Sequence, residues 1–205
     1  MPANLISAAE VVDISNDVPT AEDVFFVDTN VWYWMTYTKA STSGARAYQI
    51  NSYPAYTNNA LNARSTIYQS GLSLAELSHL IEKAERDIFA VSNPSVTPKE
   101  FRHNFPIERA NVCSEVEAAC IQVTALADPL EITIDETLSN SILDRFSKNA
   151  VDGYDLFILE SMKAHGIVQV ITDDGDFATV PDIRLFTANQ NVIATAKAQG
   201  KLLTR

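Results

Sequence analysis

Two apolar runs constrain this chain more than anything else in it. Val24-Phe25-Phe26-Val27 ends in Asp28, and Ile167-Val168-Gln169-Val170-Ile171 ends in Thr172-Asp173-Asp174-Gly175-Asp176-Phe177. Short apolar runs bounded by turn-forming residues read as buried strands. Both runs deliver carboxylates at their C-terminal ends. In an open parallel sheet those ends share one edge, and ligands bind along that edge. Acids crowded there repel one another unless something positive sits between them, and a hard divalent cation with oxygen ligands is the natural candidate.

The 205 residues suffice for one sizeable domain with its own core. Residues 1–20, acidic and carrying Pro2 and Pro19, read as a flexible tail, and 21–205 as a single domain. The net charge of −11 argues against broad nucleic-acid binding, which needs lysine and arginine at the phosphates. That argument weakens if several of the acids hold metal, because a bound cation inverts the local field. Cys113 and Cys120 lie two helical turns apart, roughly 10 Å, too far for a disulfide; they read as buried or half-buried thiols in a reducing compartment. His79, His103 and His165 lack zinc-like spacing. No apolar run reaches membrane-spanning length, and the first dozen residues lack the positive start of a secretory signal. A cytoplasmic protein with no membrane partner is the expectation.

The pattern continues as strands alternating with helices. A strand is expected over 23–28 and a helix or packed turn from Val31 to Tyr37. A loop covers 38–53, and Pro54 opens a helix running to about Gln69. The next helix, 73–88, starts on a capping box of Ser73 and Glu76 and repeats Leu77, Leu80, Ile81, Ala84 and Ile88 at helical period. A break at 91–98 precedes a short helix over 99–105 and a long one over 107–127 that Pro129 stops. Leu130 to Ile134 alternates like a strand. Helices over 135–147 and 152–165, the strand 167–171, a short strand 184–187 and a helix near 189–199 complete the chain. This alternation implies an α/β fold, a parallel sheet with helices on both faces.

Four acids stand out. Asp28 ends the first strand, Glu76 and Asp155 lie near the starts of their helices, and Asp174 follows the strand at 167–171, with Asp176 two residues on. Each has an ordinary explanation. Asp is common where strands end, Glu76 completes a capping box, and an acid in a first helical turn suits the helix dipole. Asp155 is the most telling, because Ile158, Leu159 and Met162 follow it on one helical stripe. A carboxylate facing that way must be paired, protonated or bound to metal.

These residues resemble a known family. Val27-Asp28-Thr29-Asn30-Val31 is similar to the opening motif of PIN-domain ribonucleases, and Ser73-Leu74-Ala75-Glu76-Leu77 to the second. Asp152-Gly153-Tyr154-Asp155-Leu156 resembles the third, where an Asp opens an apolar helix, and Thr172-Asp173-Asp174-Gly175-Asp176-Phe177 resembles the fourth. All four occur in the family's order, over roughly 23–187. The resemblance implies a three-layer α/β/α, PIN-like fold and a Mg²⁺- or Mn²⁺-dependent endoribonuclease, a hydrolase of single-stranded RNA like the VapC-like toxins of toxin–antitoxin pairs. It further implies an antitoxin partner and a homodimer. By position, Asp28, Glu76, Asp155 and Asp174 would be the catalytic metal-binding quartet, with Asp176 an additional acid. Asn30 and Thr172 would orient carboxylates or substrate. The chain exceeds the usual compact toxin, with the extra length in the tail and in helical insertions near 38–70 and 94–127.

Lys99, Arg102, His103 and Arg109 cluster in the second insertion, and Arg46 and Arg64 lie in the first. They offer a weak RNA grip or simply a solvated face. Trp32, Tyr33, Trp34 and Tyr37 suit core packing, with base stacking or protein docking as sharper alternatives. Two other functions compete. A haloacid-dehalogenase-like phosphatase also places an Asp after its first strand, but wants a second Asp where Asn30 stands. A PIN-like module without catalysis would not need the quartet.

Overall fold

The computed structural model describes residues 5–205. Seven strands form its centre: β1 (Glu10–Asp13), β2 (Val24–Val27), β3 (Thr66–Ser70), β4 (Asp128–Leu130), β5 (Gln169–Ile171), β6 (Arg184–Thr187) and β7 (Leu202–Leu203). They lie in the order β4-β3-β2-β5-β6-β1-β7, and every pairing is parallel. The helices are α1 (Thr29–Thr36), α2 (Ala47–Asn62), α3 (Gly71–Ala90), α4 (Pro98–Asn104), α5 (Pro106–Leu126), α6 (Glu136–Phe146), α7 (Gly153–Ala164) and α8 (Gln190–Ala198).

Strand periodicity divides the core into two layers. Val12, Phe25, Val27, Ile67, Ile171 and Phe186 pack against Trp32 of α1, Tyr53 and Tyr56 of α2, Leu77 and Ile81 of α3, and Val123 of α5. Their neighbours Val11, Phe26, Val170 and Leu185 point the other way, onto α7 through Ile158, Leu159 and Met162 and onto α8 through Val192 and Ile193. The result is the expected three-layer α/β/α fold with a central parallel sheet.

The path from β2 through β3 to β4 steps outward on one side, whereas β5 joins the opposite flank of β2. The direction of winding therefore switches between β2 and β5, whose register places Val27 beside Ile171. A crevice at the C-terminal ends of the strands follows from that switch. The Asp28 N–H closes it at the bottom by donating to the Ile171 carbonyl at 3.1 Å.

Several expectations require correction. The N-terminal stretch is not a loose tail throughout: Glu10–Asp13 is a strand between β6 and β7, while residues 1–4 of that expected tail lie outside the described residues. Val11 and Val12 are fully buried because each faces a different layer. Pro54 does not open its helix but sits inside α2, which starts at Ala47. Burying Tyr53, Tyr56 and Ala60 outweighs a cost of about 3 kcal/mol for an interior proline. That helix ends at Asn62, Arg64 turns the chain at φ 64°, and Thr66–Ser70 becomes a strand instead of continuing the helix. The strand after α5 is Asp128–Leu130, which ends at the residue where the expected strand Leu130 to Ile134 would start, and Pro129 is tolerated because β4 is an edge strand. Cys113 is exposed and Cys120 half-buried, so only the second matches the expected burial. Among the described residues, no helix is long and apolar enough to cross a membrane.

Candidate active site

Asp28 caps α1, its Oδ1 accepting from the Thr29 N–H at 2.6 Å. Its Oδ2 accepts from Asn30 Nδ2 at 2.6 Å and from Thr172 Oγ1 at 2.5 Å. Asn30 Nδ2 also donates to Thr172 Oγ1 at 3.0 Å, and Thr172 Oγ1 accepts the Asp174 N–H at 2.9 Å. Thr172 thus ties the end of β2 to the turn after β5, and Asn30 fixes the rotamer of Asp28. Asp174 Oδ1 accepts the Asp176 N–H at 2.9 Å, while the Asp176 side chain stays exposed at the rim.

Glu76 reaches the same place from α3. The expected capping box does not form, because α3 starts a turn early at Gly71, and Ser70 is its cap, accepting from the Ser73 N–H at 3.1 Å. Glu76 is therefore released from capping. Its Oε2 is buried without a hydrogen-bond partner. The Thr29 hydroxyl lies near enough to ease its ionisation, yet Thr29 Oγ1 itself makes no bond of ordinary geometry. Asp155, in the first turn of α7, is 8% exposed, and Asp28 is 4% exposed.

Electrostatics place these acids in one neighbourhood. Burial pushes the Asp155 carboxyl up to about 9, helped by Asp28, Asp152, Asp174 and Glu76. Burial likewise raises Asp28 to about 7, against the Thr172 hydrogen bond and with the added repulsion of Glu76 and Asp174. Glu76 and Asp174 are raised too, burial first in both. The Asp28 charge is the largest of those that raise Asp155. Among the leading influences on the four acids, only His79 beside Glu76 is a potential cation.

Asp152 is a fifth member that sequence reasoning passed over. It stands at the N-cap of α7 without a capping bond and pushes up Glu76, Asp155 and Asp174. Its signal was the spacing of three residues to Asp155, which puts both on one helical face. Asp173 is committed elsewhere, accepting from Gln49 Nε2 at 2.6 Å and from the Tyr53 hydroxyl at 2.7 Å. It anchors the acidic turn to α2.

The basic residues do not join this cluster as free charges. Arg102 and Arg109 both pair with Glu82 of α3, the latter at 2.8 Å. They strap α4 and α5 to α3. Lys99 is exposed on α4.

Among the described residues, no three acid, histidine or cysteine side chains are drawn close enough to grip one ion as they stand. The donor chemistry nonetheless fits a divalent metal. The donors are all hard carboxylate oxygens, Glu76 Oε2 is an orphaned buried acceptor, and among the described residues no lysine or arginine is a leading influence on them.

The PIN domain family matches the chain over residues 25–183, a span containing all the acids above. PIN domains are generally nucleases that use divalent metal ions. No curated protein matches the chain. Among solved structures, the crystal structure of VapBC2 from Rickettsia felis bound to a DNA fragment from their promoter contains a similar chain, with 14% identity, a TM-score of 0.44 and coverage of 80% of this chain and 98% of that one. The family match spans most of the sequence and every segment that builds the crevice: this chain belongs to the PIN domain family.

Proposed function

We propose that the protein is a Mg²⁺- or Mn²⁺-dependent endoribonuclease that hydrolyses phosphodiester bonds of single-stranded RNA. The reading is supported by Asp28 and Asp174 following adjacent parallel strands and being tied together by Thr172, with the unpartnered Glu76 Oε2 and the buried Asp155 near enough for the four charges to raise one another. Asp28, Asp155 and Asp174 would hold the metal, with Glu76 joining directly or through water. When bound, the metal supplies an activated water and offsets negative charge on the phosphorus oxygens. The chain's own residues supply orientation. Asn30 and Thr172 hold Asp28 to one rotamer, and the Thr172 hydroxyl presets the backbone of Asp174. Asp176 steadies the Asp174 carboxylate through its N–H and adds charge at the rim.

A VapC-like toxin, cytoplasmic, paired with an antitoxin and acting as a homodimer, is the biological setting that the motif resemblance supports. The haloacid-dehalogenase-like phosphatase is disfavoured, since Asn30 donates to Asp28 where a second acid would be needed. Both Asp28 oxygens are also engaged and the residue is buried, a poor setting for a covalent nucleophile. A non-catalytic module gives no reason to hold two buried and two half-buried acids together. The test is RNA cleavage with Mg²⁺ or Mn²⁺ by the wild type and by Asp28→Asn and Asp155→Asn. Loss of cleavage in both folded variants is expected, and undiminished cleavage in either overturns the assignment.

A further inference from the structure

A cavity of about 590 Å³ opens between α1, α3 and the loop around Gly44. Tyr33, Trp34, Leu80, Ile88, Lys83 and Asn30 line it. Asn30 belongs to two places at once: it borders this cavity and donates to Asp28 Oδ2 at 2.6 Å. Asn30 is thus the side chain at which the cavity and the carboxylates adjoin.

The aromatic stretch of α1 divides here. Trp32 and Tyr37 are buried in the core, whereas Tyr33 and Trp34 are half-buried and face the cavity. Each is backed by a second ring, Tyr33 by Tyr37 at 5.1 Å and Trp34 by Tyr53 at 5.2 Å. The Tyr33 hydroxyl donates to Ser43 Oγ at 2.6 Å. Tyr53 is fixed in turn by its hydroxyl contact to Asp173, one residue from Asp174. These are two pre-oriented flat surfaces, and Trp34 is linked through Tyr53 to the acidic turn.

An anionic polymer needs some source of affinity on a chain of net charge −11. Arg102 and Arg109 are spent on Glu82, and phosphate contacts are correspondingly few. Stacking on aromatic rings does not depend on charge and tolerates any base. The cavity is large enough for a base with its ribose, within the range of ordinary ligand sites. Lys83 at the rim is exposed and within an ion pair to Asp87 at 2.8 Å, placed to exchange that partner for a phosphate.

We propose that this cavity is a nucleobase subsite, in which an unpaired base next to the scissile phosphate stacks on Trp34 and Tyr33. Asn30 marks the boundary between base and carboxylates. The proposal rests on the nuclease reading and supplies its selectivity for single strands, because a base held in a duplex cannot enter.

The test separates binding from cleavage. A labelled single-stranded RNA octamer is titrated by fluorescence anisotropy into the Asp155→Asn protein, so that the RNA survives. Adding Trp34→Ala should weaken binding roughly 5- to 150-fold, the range for losing one stacked base, and Trp34→Phe should recover most of it. An octamer with one abasic position should lose a similar factor on the Asp155→Asn protein at the position that enters the cavity, and nothing further on the Trp34→Ala variant. Equal losses for intact and abasic RNA on Trp34→Ala would overturn the proposal, as would undiminished affinity in a variant of unchanged melting temperature. That last outcome would leave the cavity to a protein segment. If Trp34→Ala fails to fold, the abasic series decides alone, and uniform affinity at all positions refutes the subsite. Failure of the wild type to cut RNA with Mn²⁺ would refute the nuclease reading separately.

Discussion

Replacing Asp155 by Asn should stabilise the protein when metal is withheld and remove its stabilisation by metal when it is supplied. Asp155 is 8% exposed, and burial is the first cause of its rise from 3.8 to about 9. A folded pKa above the unfolded one means that the native state binds more protons, so stability falls as pH rises through the interval between them. Below about pH 4 both states are protonated and the group contributes nothing. At pH 7 the unfolded carboxyl is ionised and the folded one is not, and the gap from 3.8 sets a ceiling of about 4 kcal/mol at 1.36 kcal/mol per unit. Water reaching the crevice and relaxation around it bring the expected gain to about 2–4 kcal/mol. In a chain of this length that is roughly 5–15 °C in melting temperature. Thermal melts in EDTA at pH 5, 6, 7 and 8.5 would show Asp155→Asn melting above wild type, with the gap closing toward pH 5. Mn²⁺ at a hundredfold over its Kd should raise wild type by about 2.7 kcal/mol and the variant by far less. A metal-free variant no more stable than wild type at pH 7, or a gap indifferent to pH, would refute the idea that these acids strain the fold.

Other substitutions probe the frame around the crevice. Tyr53→Phe removes the hydroxyl that meets Asp173, Thr187 and the Ala188 N–H in the interior, and should cost about 1–3 kcal/mol in urea denaturation; an unchanged midpoint would show that water replaces it. Arg205→Ala leaves Asp17 and Asp23 without the guanidinium that spans them and should cost about 3–5 kcal/mol at pH 7, both carboxylates being largely buried. Burial raises Asp23, but the arginine and backbone bonds more than cancel it and hold it below the usual carboxylate value. That stability is present above pH 4 and fades as pH falls further, so the variant's deficit should shrink in acid. Ser70→Ala should cost about 1 kcal/mol in urea denaturation through the lost cap of α3, while Glu76→Gln should cost nothing in EDTA, because the buried Glu76 Oε2 accepts no hydrogen bond; a lowered midpoint for Glu76→Gln would show that its carboxylate is bonded in the metal-free chain.

The acids and their gathering at one sheet edge were legible in the strand ends and motif order, but the local roles of the residues around them were not. Asp28 and Asp174 could be placed from local pattern alone, because each follows an apolar run that becomes a strand. Glu76 had a misleading local explanation: S-x-x-E is a good cap sequence, and only tertiary structure shows α3 starting at Gly71. Thr66-Ile67-Tyr68 carried a strand signal, yet the helical residues before it masked the boundary that Arg64 makes by adopting a positive φ. Val11-Val12 and Leu202-Leu203 are too short to announce strands; they become strands by pairing with each other beside β6. Arg102 and Arg109 looked like cations available for RNA until the fold put Glu82 between them.

How a domain carries buried and half-buried acids side by side is answered in part by where its helices begin. Asp28 caps α1, and Asp152 and Asp155 begin α7, so two positive helix ends face the carboxylates. Each is worth about 0.3–1 kcal/mol to a nearby anion. Hydrogen bonds from Thr172, Asn30 and the Thr29 N–H favour the charged form of Asp28 further. Against them stands a penalty of about 2–4 kcal/mol for the Asp155 position alone at neutral pH. The dipoles and donors bring the acids together without neutralising them. Protonation can relieve the residue in the metal-free chain, since burial raises Asp155 to about 9, and a divalent cation can relieve it at working pH. Metal and proton must then compete for the same oxygens, and the apparent Mn²⁺ affinity should rise steeply between pH 6 and 8.5, by up to about tenfold per unit for each proton displaced. Calorimetric titrations in buffers of different ionisation enthalpy would count those protons, and a Mn²⁺ affinity independent of pH would mean that the ion binds somewhere other than this crevice.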